Sequence, residues 1–253
     1  MKPKDDQLFS RVSAWQGLEP WGRVLDAGTG NHSLSWILRL KTEQWTAVTG
    51  DPSRSAEMRQ TFGGQLRGGD RLVVGNWSDP SFLQGERYDV VIADYLVGAI
   101  EGFAPYYQDQ ILGRLKPLVG RALYVVGLEP FDDHAQDEGG RLILEIARLR
   151  DACILLAGHR CYREFPLQWM LRHLDAAGFE VERHEAVPIL YGSSFIQSQL
   201  GVARRKLPLM ADRALARAME LHIDALERRA LEFINRCGRI RFGSDYVIKA
   251  TPR

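Results

Sequence analysis

In Arg23-Val24-Leu25-Asp26-Ala27-Gly28-Thr29-Gly30-Asn31-His32-Ser33 an apolar run gives way to two closely spaced glycines. Val24 and Leu25 are apolar and suited to a buried strand, Asp26 ends the run, and Gly28 and Gly30 supply backbone where a Cβ would obstruct a tight turn or a close ligand. Ser33 reads as a helix cap, because Leu34, Trp36, Ile37, Leu38 and Leu40 recur at helical spacing after it. The stretch is therefore a strand, a glycine-rich turn and a helix in succession. Backbone N–H groups at such a junction face a bound polar or anionic group.

Working outward, Trp45 to Gly50 reads as a second strand ending at Asp51, about 20 residues past the glycines, where an acid can accept hydrogen bonds from both hydroxyls of a ribose. Arg71 to Val74 reads as a third strand, running into Gly75-Asn76-Trp77-Ser78-Asp79-Pro80. Tyr88 to Ala93 is a fourth, nearly all apolar after its first two residues, as expected when helices cover both faces of a sheet. It ends at Asp94-Tyr95-Leu96-Val97-Gly98. Open α/β sheets place ligands at the carboxyl ends of their strands, which singles out Asp94 and then Tyr95. A helix N-cap is the competing reading of Asp94. Ala122 to Gly127 is a fifth strand, Phe179 to Val187 a sixth and Asp245 to Ala250 a seventh, with helices expected over 106–118, after Gly140, and over 163–178.

Two cofactor classes use such a turn. The dinucleotide fingerprint Gly-x-Gly-x-x-Gly finds Gly28 and Gly30 but meets Ser33 at its third position. The pattern Asp26-x-Gly28-x-Gly30 more closely resembles the first motif of class I S-adenosylmethionine-dependent methyltransferases, with His32 standing where that motif usually has a further glycine. The resemblance covers residues 23–126 by motif and 167–250 by order of elements. It implies an α/β fold: a doubly wound, mostly parallel, seven-stranded Rossmann-like sheet with an antiparallel last strand. It implies S-adenosylmethionine as cofactor, held by Asp26, Gly28, Thr29, Gly30, His32 and Asp51, with Asn76 and Trp77 (or Asp79) around the adenine. Asp94 and Tyr95 would stand at the transferred methyl. For Trp77 the plain alternative is a half-buried loop aromatic.

The chain has 253 residues, 45% hydrophobic and 26% charged, with formal net charge +1. That suffices for one methyltransferase domain over 1–253, with residues 188–241 as a helical insertion over the acceptor pocket. Within the insertion, 209–237 reads as one long or two shorter surface helices, and 189–195 as a loop serving as lid, acceptor contact or plain connector. No apolar run approaches the length of a membrane span, and the polar start Met1-Lys2-Pro3-Lys4-Asp5-Asp6 lacks a signal-peptide core, so a cytoplasmic protein is expected. Cys153, Cys161 and Cys237 are scattered, which argues against a disulfide framework or a zinc site.

The expected reaction is in-line displacement from the cofactor to a small-molecule acceptor. Proximity supplies part of the barrier, and a base is needed only for a protonated acceptor. Asp94, Tyr95, Glu129 and His159 are the candidate bases; Glu129, His159, Arg160, Tyr162 and Tyr191 are candidate acceptor contacts, the arginine for a carboxylate. A lone histidine such as His159 is more often a structural or surface residue than a base. The alternatives are an RNA methyltransferase, a nicotinamide-dependent oxidoreductase and a cofactor-binding module without catalysis. RNA is suggested by twelve basic against six acidic residues over 203–253, a local charge of +6.

Overall fold

The computed structural model describes residues 7–253, and the polar start read above lies outside them. The chain forms two compact units: the first holds the residues up to Glu129 together with Tyr162–Val187 and Asp245–Arg253, the second Pro130–Cys161 and Pro188–Ser244.

The strands are β1 (Arg23–Asp26), β2 (Gln44–Thr49), β3 (Arg71–Val74), β4 (Tyr88–Asp94), β5 (Val119–Leu128), β6 (Phe179–Tyr191) and β7 (Ile240–Pro252). They form one sheet in the order β3-β2-β1-β4-β5-β7-β6. The first five pair in parallel, and β7 runs antiparallel to β5. This is the doubly wound sheet with a returning last strand that the resemblance implies.

In the first unit the pleat sorts side chains into two cores. Leu25, Val91, Leu123, Val125 and Ile248, aligned by register, pack with α4 (Leu96–Ala99), α5 (Gln108–Leu115) and α7 (Leu167–Ala176). Val24, Val90, Ile92, Tyr124 and Val247 face the other way, against α1 (Gln7–Gln16), α2 (Asn31–Ile37) and α3 (Pro52–Phe62). Burial on both faces is why these strands are apolar without alternation.

The second unit has its own core. Leu142, Ile146, Leu149 and Cys153 on α6 (Glu138–Leu156) meet Ile196 and Leu200 of α8 (Ser193–Lys206) and Ile223 and Leu226 of α9 (Arg213–Cys237). The apolar face read on α6 thus packs with the helices of the insertion. Of the two readings of 209–237, the single long helix is the one found. The loop expected over 189–195 is instead the end of β6 and the start of α8, with Tyr191 and Phe195 ring to ring at 4.1 Å. Its aromatic content, read as loop character, reflects burial beside Ile143 and Ile240.

Candidate functional site

The residues that the resemblance gives to the cofactor and the transferred methyl lie at the carboxyl ends of β1 to β4. The turn after β1 is tied to its neighbours by backbone: Ala27 N–H donates to Ile92 O at 2.8 Å, and Thr29 N–H to Val48 O at 2.7 Å. Gly30, not Ser33, is the N-cap of α2; Ser33 lies three residues in, where its Oγ accepts from Gly30 N–H at 3.1 Å. A Cβ on Gly28 would stand 3.0 Å from Leu96, so that glycine is needed for close approach of α4. A Cβ on Gly30 would meet nothing within 4 Å, so that residue borders open space. His32 is exposed, its ring 5.2 Å from that of Phe9.

Asp26 is wholly buried, and neither carboxylate oxygen has a hydrogen-bond partner. Burial pushes its pKa up to about 6; the nearby polar groups of Ser33, Thr29 and Gly28 pull it down without closing a bond. Buried carboxylates are ordinarily paired, so the orphan calls for a cation. A cationic group with room beside Gly30 fits this turn.

After β2, Asp51 caps α3, its Oδ1 accepting from Ser53 N–H at 2.8 Å and Ser53 Oγ–H at 2.7 Å. The Ser53 hydroxyl, above the other causes, holds its pKa below the usual carboxylate range. It stays charged at neutral pH and suits a diol.

After β3, Asn76 is engaged on both sides: its Nδ2 donates to Phe103 O at 2.7 Å, and its Oδ1 accepts from Ser78 N–H and Oγ–H. Asp79 accepts from Ser81 in the same manner. Trp77 is 4% exposed, more deeply placed than a half-buried loop aromatic. Its Nε1–H donates to Ala27 O at 2.7 Å, so the indole supports the β1 turn from inside the core.

At the end of β4, Asp94 is half-buried and Tyr95 adopts a left-handed backbone, φ 47° and ψ 19°. Tyr95 is the N-cap of α4, and its side chain makes no cap bond. A non-glycine residue held left-handed costs about 1–3 kcal/mol and is typical of functional segments.

Of the predicted acceptor contacts, Glu129 accepts from Leu167 N–H at 2.8 Å through Oε2, holding the start of α7. Tyr162 is exposed, its ring 3.5 Å from where a Cβ of Gly102 would stand. His159, Arg160 and Tyr191 belong to the second unit. There His159 Nδ1 lies 2.7 Å from Lys206 Nζ, and Tyr191 is a 5% exposed core residue beside Phe131.

Sequence reading missed Glu101. Glu101 is 2% exposed and accepts from Gln108 Nε2 at 2.6 Å and Tyr106 N–H at 3.1 Å. An acid amid the apolar run 96–104 was the available signal.

No protein-family model and no curated protein matches the chain by sequence. Solved structures do match in fold. A candidate methyltransferase from Bacillus halodurans C-125 is 15% identical over 96% of this chain and 98% of that one, with a TM-score of 0.61. A magnesium protoporphyrin IX methyltransferase from Synechocystis PCC 6803, with bound S-adenosylhomocysteine, is 16% identical over 96% of this chain and 81% of that one, at 0.53. A [4+2]-cyclase is 16% identical, at 0.55, over 96% and 80%. The fold is that of class I methyltransferases, and the cyclase shows why fold alone does not fix the reaction.

Proposed function

We propose that a chain with this fold and this turn is an S-adenosylmethionine-dependent methyltransferase acting on a small molecule. The observation that carries the reading is the buried, unpartnered Asp26 carboxylate in a turn whose Gly30 borders open space. The cofactor has an ammonium and a sulfonium, and a cation there would offset the burial of the carboxylate. Bound, the cofactor supplies a methyl group already activated for displacement.

The chain's part is to bind, orient and exclude water. Asp26, Gly28 and Gly30 would receive the methionine end and Asp51 the ribose hydroxyls. Asp94 and Tyr95 would face the acceptor, Asp94 taking a proton where the acceptor must lose one. Glu129 keeps one oxygen committed to α7 and so acts there as a support.

Two observations weigh against the other readings. The antiparallel β7 departs from the 3-2-1-4-5-6 order of dinucleotide-binding sheets. Among the basic residues of 203–253, Arg204, Arg217, Arg229, Arg236, Lys249 and Arg253 are ion-paired within the chain, which leaves less charge for phosphates. Titration calorimetry with S-adenosylhomocysteine and with NAD tests the cofactor: binding of NAD alone refutes the reading. Incubation with methyl-labelled cofactor and either a low-molecular-mass extract or total RNA tests the acceptor class, and label in RNA alone refutes the small molecule.

A further inference from the structure

Phe103 lies between the end of β2, where the proposed function puts the ribose on Asp51, and the loop after β3, which the family resemblance gives to the adenine. Its ring is seated on Gly50, one atom standing 2.5 Å from where a Cβ of that glycine would be. Its carbonyl accepts from the Asn76 amide at 2.7 Å, and its N–H donates to Ile100 O at 2.9 Å. Phe103 therefore bridges the two strand ends, with its ring on the last residue before Asp51 and its carbonyl on the first polar side chain after β3. Yet Phe103 is 41% exposed.

The backbone carrying this ring is an arch fixed from beneath. Leu96, Val97, Ile100 and Ala104 are buried in the core, and Glu101 ties Tyr106 N–H and Gln108 back to the arch. Its two ends, Tyr95 and Tyr106 (φ 47° and 66°), are two of the three non-glycine residues with positive φ among the described residues. Strained backbone persists only where surrounding structure over-determines it. Outside, the Arg163 guanidinium sits 5.7 Å from the Tyr106 ring. With both peptide groups of Phe103 held, the freedom left is rotation of its side chain. A ring resting on a glycine can swing off it without moving backbone.

We propose that Phe103 is a gate on the nucleoside end of the cofactor site, swinging off Gly50 to admit the nucleoside and returning to hold it. This rests on the methyltransferase reading. It goes beyond that reading by assigning cofactor exchange to one side chain outside the glycine-rich turn.

Two substitutions open the gate by different routes. Phe103→Ala removes the ring; Gly50→Ala places a Cβ against it and displaces it, at a position whose φ is not left-handed. Stopped-flow tryptophan fluorescence with S-adenosylhomocysteine should show association and dissociation both at least fivefold faster in each variant. The double variant should match Phe103→Ala, since the new methyl then has nothing to displace. Unchanged rates, additive effects, or faster dissociation with unchanged association would overturn the gate, the last making the ring a fixed wall. If either variant fails to fold, the ring is followed in the wild type by fluorine NMR of fluorophenylalanine-labelled protein. Exchange of the Phe103 signal between two positions that S-adenosylhomocysteine collapses to one supports the gate, and a single position with and without the ligand overturns it. Absence of binding by the wild type would instead refute the cofactor reading itself.

Discussion

Replacing Asp26 by Asn tests the centre of the proposed site, because the sign of its effect reverses when cofactor is added. The carboxyl's pKa is raised from 3.8 to about 6 by complete burial. At 1.36 kcal/mol per pKa unit this corresponds to about 3 kcal/mol of folding stability present when the group is protonated and absent when it is ionised. Since the folded-state value is the higher one, that contribution is complete below pH about 4 and lost as pH rises through about 6. Asn is neutral throughout. In urea denaturation without ligand, Asp26→Asn should match the wild type within about 1 kcal/mol at pH 4 and exceed it by about 3 kcal/mol at pH 8. Carboxylates held below their usual range, such as Asp51 and Asp79, oppose this trend but occur in both proteins and cancel in the difference. Saturating S-adenosylhomocysteine should stabilise the wild type by RT ln(1 + [L]/Kd), more at pH 8 than at pH 5, and the variant far less. A difference independent of pH would refute the assignment of the strained charge to Asp26. Equal stabilisation of both proteins by ligand would refute its role toward the cofactor.

The remaining predictions use the same measurements. Asp51→Ala should weaken S-adenosylhomocysteine binding by about 1.5–3 kcal/mol in calorimetry and also lose about 1 kcal/mol of stability with the α3 cap. Asp51→Asn should keep the cap and lose only affinity, so unchanged affinity would show the ribose misplaced. Trp77→Phe strands the buried Ala27 carbonyl and should destabilise by about 1–3 kcal/mol in denaturant titration. Leu200→Ala, wholly buried in the second unit, should cost about 2–5 kcal/mol, and a value below 1 would contradict the packing described for α8.

Much of the site was legible because the relevant signals are local. A strand buried on both faces must be apolar along its length, so β1 and β4 announced themselves, and acids at their ends marked candidate ligand residues. Asp26, Gly28, Gly30, Asp51 and Asp94 were singled out in this way, and they lie at or just after the carboxyl ends of β1, β2 and β4. The loop read over 189–195 failed because its apolar residues are packed by partners distant in sequence, Ile143 and Ile240 among them. Trp77 could be placed in the right loop, but its direction is set by a hydrogen bond to a carbonyl fifty residues away.

The sequence by itself determined the order of elements, the switch from strand to glycine-rich turn, and the acids at the strand ends, since each depends on residues close together in the chain. Tertiary structure alone decided that Asp26 is orphaned rather than paired, that Asn76 and Trp77 are engaged by backbone from elsewhere, and that Phe103 rests on Gly50. These depend on which distant groups arrive beside a given atom, and on whether a buried charge finds a partner. Periodicity carries no information about either.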